Sequence, residues 1–437
     1  DYKIEIPEYY IFNKRSKGFY SVEMKQGSKT GTIGSTNYRI DVFSFEGNMI
    51  PALRNNEPFI SSIRNYRGGM KFELTQTNFI PLQGSLKTFS NSWEDVSKQI
   101  FKSSSFGTEL KKSSYYKKDL EKILTTSKTN SDKIVSIFKY VKKHVKWNGN
   151  YSKYTDNGVK KAYKEGVGNV ADINLMLTAM LRSAGLEANP VLLSTRTNGF
   201  PVFPTLNGFN YVIALVELGG GDTILLDASE EFSLPNMLPT RTLNWQGRKV
   251  TREGNSSWVK LISSKHASEE NTVIVKITDD MMVEGMIRTK YDNLNALNYR
   301  KNNNHIKEAD LITKLEEKYS LEIENYKVLN KDVLEKGIIR NVKFLSEDLI
   351  EEINGKLYVE PLLFLSEHKN PFKLEERKFP VDFATPWKDK NTVSIQIPEG
   401  YKIEVLPKPL AIALPDDLGV FKYQVTQRGK KISAMSI

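Results

Sequence analysis

Hydrophobic and polar positions change their period along this chain, and the changes mark out its elements. Over the first hundred or so residues the period is two. Residues 38–45 and 70–74 alternate apolar with polar, as does the segment around Phe79, so strands are expected there. Pro7, Pro51, Pro58 and Pro81, with Gly18, Gly27, Gly31, Gly34, Gly68 and Gly69, punctuate the region as turns do. Tyr9, Tyr10, Phe12, Phe19 and Tyr20 could form a ligand platform, but aromatics at such spacing suit core and edge packing better. The period then lengthens to that of a helix. Trp93, Val96, Ile100 and Phe101 predict a short helix over 93–107. A polar Lys/Ser/Tyr segment follows, and after it Ile134, Val135, Ile137, Phe138, Val141, Val145 and Trp147 form the buried stripe of an amphipathic helix. Ser131 or Asp132 would cap that helix, with Lys139, Lys142, Lys143 and Lys146 facing out.

The stretch 166–229 is patterned differently. Asn169 fits an N-cap, Asp172 the first turn, Arg182 the last turn and Gly185 the stop, while Ile173, Leu175, Met176, Leu177, Met180, Leu181 and Ala184 leave almost no polar face between them. A helix apolar nearly all round belongs at the centre of a domain. Strands are expected at 190–195, 209–218 and 223–228, the last two joined by a turn at Gly219–Gly221 and Asp222. Between the first two lies an apolar loop with Phe200, Pro201, Val202, Phe203 and Pro204, placed either to fold over a cleft or to offer an apolar contact. A central helix followed by antiparallel strands is an α+β core.

From about residue 256 the chain turns back to strands. Residues 272–277 and 283–290 read as a pair around Asp279-Asp280, residues 291–319 are helical with a break at Asn302-Asn303-Asn304, and strands and turns follow. Glu308, Asp310, Glu316 and Glu317 would lie on the solvated face of a helix. The expected organisation is therefore a multi-domain α+β chain. A β-rich first domain occupies 1–108, an α+β core 109–255, and a β-rich third domain with a helical insertion 256–437.

The residues of the core resemble the transglutaminase-like superfamily, which is related to papain. More narrowly, they resemble envelope proteins that carry such a core between two poorly characterised β-rich domains. Ile50-Pro51-Ala52-Leu53, Asn56-Glu57-Pro58 and Asn65-Tyr66-Arg67 resemble the end of the family's first domain, whose earlier part is absent or diverged, so either an incomplete sandwich or one whose remaining strands precede Asp1 is expected. Leu238-Pro239-Thr240-Arg241, and Asn370-Pro371-Phe372-Lys373 with Phe379-Pro380-Val381, resemble later segments. In active members a Cys opens the central helix, a His lies on the next paired strand and an Asp on the strand after. The thiolate then attacks an amide carbonyl with the imidazole as its base. Here the Gly-x-Cys-x-Asp pattern stands as Gly168-Asn169-Val170-Ala171-Asp172, and the Phe-Asn-His pattern as Phe209-Asn210-Tyr211. The third position is kept, as Asp227 in Leu225-Leu226-Asp227-Ala228. The resemblance thus implies a site at Val170, Tyr211 and Asp227 without nucleophile or base.

Composition supplies no substitute. The chain has no Cys, and its four His, at 144, 266, 305 and 368, all lie off the strand that would need one. Ser194 and Thr195 have no base at suitable spacing. A pseudoenzyme is therefore expected, one that works as a structural, accessory or protein-interaction subunit. The alternative is a peptide- or glycan-binding module whose vacant cleft offers Asn169, Asp172, Asn210, Tyr211, Asp227 and Trp147. A carboxylate-dependent hydrolase on Asp172 and Asp227 comes after both. No His/Asp/Glu cluster has ligand spacing, so no metal or other cofactor is expected.

The formal net charge is +11, and the Lys-rich window 98–165, which holds no Arg, matches that whole excess. Such a Lys-rich surface reads as a solvated face, or as peripheral contact with anionic lipid or an acidic partner. Nucleic acid is not expected, because its recognition draws on Arg forks and aromatic platforms. No apolar run is long enough to span a membrane as a helix. The chain begins at Asp1 rather than Met, and the resemblance implies export with a signal peptide removed. A periplasmic or outer-membrane-associated location, with protein partners in the envelope, is the corresponding expectation.

Overall fold

The computed structural model describes residues 1–50, 52–53, 57–89 and 92–437. Pro51 and Asn56 of the segments quoted above lie outside them. The chain divides into two compact units. One comprises Asp1–Ile262 with Leu374–Ala384, the other Ser263–Lys373 with Thr385–Ile437. The architecture is α+β throughout, and no helix among the described residues is long and apolar enough to cross a membrane.

The first unit opens with two small antiparallel sheets. Tyr2–Pro7 and Glu23–Ile33 flank Thr36–Glu46 in one, while Tyr10–Lys17 and Leu86–Thr88 flank Gly69–Asn78 in the other. Alternation puts Ile6, Phe43 and Phe45 on one inner face and Phe12 and Phe72 on the other, with Phe43 and Phe72 ring centroids 5.7 Å apart. The segment around Phe79 is not a strand. Pro81 starts a 3-10 turn over Ile80–Leu82 that closes on Gln83 in the left-handed region, and Phe79 packs edge-on against Tyr10. Tyr9 is buried between Tyr38 and Phe79, as core packing requires.

The helices that follow are set by their caps. Ser92 and Asp95 form a reciprocal capping box for Trp93–Lys102, which stops five residues short of the expected end because Ser103 is extended. Thr129, two or three residues earlier than expected, caps the Lys-rich helix Asn130–His144. Asp132 stands at its third position and accepts a hydrogen bond from Thr129 N–H in return. That helix ends at His144, so Val145 and Trp147 continue its apolar sequence but not its backbone. Val135, expected in the buried stripe, is instead on the exposed edge. The polar Lys/Ser/Tyr segment also contains a helix, Lys117–Thr126, anchored by buried Tyr116 and Leu120.

The central helix runs Val170–Ser183, and every residue from Val170 to Leu181 is buried. Asn169 caps it with Asp172 in a third capping box, and Gly185 follows it at φ +82°. It packs on the middle of a five-stranded antiparallel sheet in the order Asp222–Leu226, Tyr211–Gly219, Glu187–Leu193, Trp245–Val250, Ser256–Leu261. The apolar loop at 198–208 is tied to the first β-region. Phe200 N–H donates to Asn65, Thr205 Oγ1 donates to Glu73 at 2.8 Å, and Lys71 Nζ lies 5.1 Å from the centre of the Phe203 ring. Residues 374–384 return from late in the chain to lie in this unit. Glu57 accepts from the N–H groups of Lys378 and Phe379, Phe379 stacks on Phe19, and Asp382 pairs with Arg196 at 3.2 Å.

The second unit is built on an eight-stranded sheet in the order Glu322–Leu329, Ile338–Ser346, Val283–Asp292, Ala267–Ile277, Trp387–Gln396, Lys431–Ser436, Val420–Arg428, Leu410–Ala413. Ala267–Ile277 and Trp387–Gln396 run parallel, and the other neighbouring pairs are antiparallel. Val273, Val275, Val342, Phe344, Val393 and Ile395 form its core. The helical stretch is two helices, Leu294–Asn303 and Glu308–Tyr319, with the break where the Asn run predicted it. Glu316 leaves the solvated set, since its carboxylate accepts from Ile323 N–H at 3.0 Å.

Candidate functional site

Val170 is the first residue of the central helix, so its side chain shares a face with Asn174, one turn on. Asn174 reaches across to the sheet. Its amide donates to Val212 O and to Asp227 Oδ1, both at 3.0 Å, and its oxygen accepts from Ala228 N–H at 2.9 Å. The face that carries Val170 is therefore the one turned toward Asp227. Tyr211 comes from the adjoining strand, and its hydroxyl donates to Asp227 Oδ2 at 2.7 Å. Val170, Tyr211 and Asp227 are all fully buried.

Around that carboxylate is a set of partners that sequence reasoning missed. Ser229 donates to Asp227 Oδ1 through both N–H, at 3.0 Å, and Oγ, at 2.6 Å. Arg241 donates from Nε to the Tyr211 hydroxyl at 3.0 Å and from Nη1 to Glu230 at 2.5 Å, and its Nη2 lies 3.6 Å from Asp227 Oδ2. The guanidinium also covers the rings of Trp147 and Tyr211, at 5.0 and 5.6 Å. Trp147 stacks on Tyr151 at 5.3 Å, and Tyr151 leans on Tyr211 at 5.5 Å. Burial raises the Tyr211 phenol well above its ordinary range, and the neighbouring Asp227 adds to the effect. Burial opposes the charge of Arg241, but Tyr211, Asp227 and Glu230 more than offset it and strengthen its hold on a proton.

The other residues singled out from the sequence lie elsewhere. Asn169 is occupied by its cap and by a bond to Tyr154 O at 2.9 Å. Asp172 returns the cap, accepting from Asn169 N–H at 3.0 Å, and its burial raises its pKa. It stands two residues before Asn174, about 200° round the helix, so Asp172 and Asp227 do not form one carboxylate pair. Asn210 stands just before the strand that Tyr211 opens, and its side chain is taken up by two bonds exchanged with Thr195. Ser194 donates to Gly199 O at 2.6 Å. Of the six cleft residues, Tyr211, Asp227 and Trp147 meet, while Asn169, Asp172 and Asn210 remain apart. The signal for Arg241 was present in Leu238-Pro239-Thr240-Arg241, but no local pattern says that its side chain returns to the triad position.

A family comparison now bears on this geometry. The profile of the transglutaminase-like superfamily matches residues 118–218, which hold the central helix and the strand of Tyr211. The chain carries a transglutaminase-like domain. A second match, over residues 355–436, is to a domain of unknown function with solved structures, DUF3858. No curated protein matches the chain. Among solved structures, a Parabacteroides distasonis protein provisionally described as a protease aligns over 99% of this chain and 64% of its own length, at 11% identity and a TM-score of 0.52. The present chain thus spans less than two thirds of that protein, and the likeness is one of fold. A Cytophaga hutchinsonii protein provisionally described as a cysteine protease aligns over 59% of this chain and 86% of its own, at 13% identity and a TM-score of 0.23.

Within the transglutaminase-like domain, the chemistry open to the cluster is narrow. The helix start presents an isopropyl group. Ser229 has a carboxylate beside it, but Asp227 already accepts from Asn174, twice from Ser229 and from Tyr211, and faces Arg241 as well. Four hydrogen bonds thus already occupy that carboxylate, and Ser229 Oγ itself supplies one of them. His144 is held between Tyr140 and Tyr163, with ring centroids 5.2 and 4.1 Å away. Among the described residues no group of three or more His, Asp or Glu could hold a metal ion.

Proposed function

We propose that this chain is a non-catalytic transglutaminase-like protein that serves as a structural or accessory subunit and binds a protein partner in the cell envelope, in the periplasm or at the outer membrane. The observation that carries the reading is the Tyr211 hydroxyl seated on Asp227 in the place of an imidazole, with Val170 at the helix start. Together these replace a nucleophile and its base by a closed, ion-paired plug. A peptide or glycan in the same cleft would have to displace that plug, including the Arg241 contacts, and this places the binding-module reading second. A carboxylate hydrolase is disfavoured because Asp172 is taken up in the helix cap and lies on another face of the helix from Asn174, which reaches Asp227.

Two measurements test the proposal. Purified protein incubated with a fluorogenic peptide amide and with a glutamine/amine transfer pair should give no turnover above the protein-free rate. Turnover that Ser229→Ala abolishes would overturn the non-catalytic reading. The native mass after gentle detergent extraction from cell envelopes, with mass spectrometry of what accompanies the chain, should report a discrete assembly larger than the 49.9 kDa chain. A lone monomer would overturn the accessory role.

A further inference from the structure

The second unit holds an open cavity of about 350 Å³ that belongs neither to the triad position nor to its surroundings. Its floor is the end of the face that, further along, carries the core residues Val342 and Phe344. Register explains the change of character. Arg340 lies opposite Thr289 and two residues from Val342, and Tyr326 lies opposite Val342. The face that is apolar at Val342 and Phe344 thus becomes phenolic and cationic at Tyr291, Tyr326 and Arg340.

Three features together describe what would fit. The walls present aromatic faces, with the Tyr291 and Tyr299 rings 5.0 Å apart and tilted by 32°, and the Tyr299 and Tyr326 hydroxyls 3.1 Å apart. The helix Leu294–Asn303 lines one side with the amides of Asn295, Asn298, Asn302 and Asn303, groups that both donate and accept. The charge is positive, because Arg340, Lys314 and Lys318 line the cavity against the single carboxylate of Glu269. Arg340 is half engaged. Its Nη2 donates to Thr289 Oγ1 at 3.1 Å and its guanidinium lies 5.7 Å from the Tyr291 ring centre, yet its Nε, shielded from solvent, has no hydrogen-bond partner among the described residues.

We propose that this cavity is a binding site for an acidic saccharide, a sugar unit bearing a carboxylate. Ring faces stack against the phenols, hydroxyls exchange hydrogen bonds with the asparagine amides, and the carboxylate meets Arg340 with Lys314 and Lys318 beside it. A simple anion would not need the aromatic walls, and a neutral sugar would not need the three cations.

The test is calorimetric titration of the whole chain with trigalacturonate, maltotriose and inorganic phosphate. Trigalacturonate should bind, maltotriose should bind at least about tenfold more weakly, and phosphate should not compete at equal concentration. Arg340→Gln should weaken trigalacturonate about tenfold or more. Lys314→Gln with Lys318→Gln, on an exposed helix face where folding is not at stake, should weaken it severalfold and steepen no other property. Equal affinity for maltotriose, displacement by phosphate, or no binding of trigalacturonate at millimolar concentration would each overturn the proposal. Unchanged affinity in both variants would do the same.

Discussion

Asp227 is held in a structural role by its neighbours. Tyr211, Ser229 and Asn174 all donate to it, with Arg241 in ion-pair reach. Asp227→Ala would leave four buried donor groups on three residues, and part of a guanidinium, without that acceptor. Its expected cost in a urea melt is about 3 kcal/mol, against about 1–2 kcal/mol for Tyr211→Phe, which removes one donor to the carboxylate and the acceptor of Arg241 Nε. Equal losses for the two variants would show that the cluster is not centred on the carboxylate. Lys142 offers a second test at this scale. Its Nζ donates to Ser233 O at 2.6 Å, and burial pulls its pKa from the ordinary 10.5 down to about 8. Between those two values the unfolded chain holds a proton that the folded chain has released, so this lysine makes stability rise with pH from about 8 to about 10.5. Below about 8 the penalty for its buried charge is fully present. Lys142→Met should remove that rise, and melts of wild type and variant at pH 7 and pH 10 would show it as a difference that narrows with pH.

Elements in this chain are held by caps and clips as much as by propensity. Among the described residues three helices begin with reciprocal capping boxes, at Ser92, Thr129 and Asn169; the starts of the first and last match the sequence reading, and only the cap at Thr129 was misplaced. At Asn169 the apolar run starts immediately after the cap. At Thr129 several polar residues precede the first apolar one, and nothing local distinguishes Thr129 from Ser131. The helix Lys117–Thr126 escaped notice for a related reason, since its burial rests mainly on Tyr116 and Leu120. The strands were legible because alternation is strict where one face is buried, as at residues 38–45 and 272–277. Another clip lies in the second unit. Arg300, fully buried in the helix Leu294–Asn303, donates to the carbonyls of Asn330, Lys331, Val333 and Lys336, gathering a loop as a bound cation would. Arg300→Met should cost about 3 kcal/mol and loosen that loop, because four carbonyls lose their common donor. Hydrogen exchange should show the change concentrated over 330–337; protection there equal to wild type would mean that the loop holds itself.

On the scale of the whole molecule, the sequence disclosed the fold of the core and the positions of Val170, Tyr211 and Asp227. It did not disclose the company they keep. Arg241 reaches Asp227 and Tyr211, with Glu230 as its counter-ion, through the tertiary path of the chain after the sheet, and hydrophobic period carries no information about that path. The cavity in the second unit was hidden for the same reason, since Tyr291, Tyr326 and Arg340 are far apart in sequence and meet only through strand register. Residues 374–384 raise a matter of order in time. They complete the first unit, through Arg377 and Phe379 against Glu57 and Phe19, yet the chain must first pass through residues 263–373 of the second. During synthesis, then, the first unit cannot close when its own first 262 residues have left the ribosome. It waits, with Phe19 and Glu57 uncovered, until much of the other unit has emerged, so a nascent chain halted between them carries an unfinished surface that the mature protein never shows.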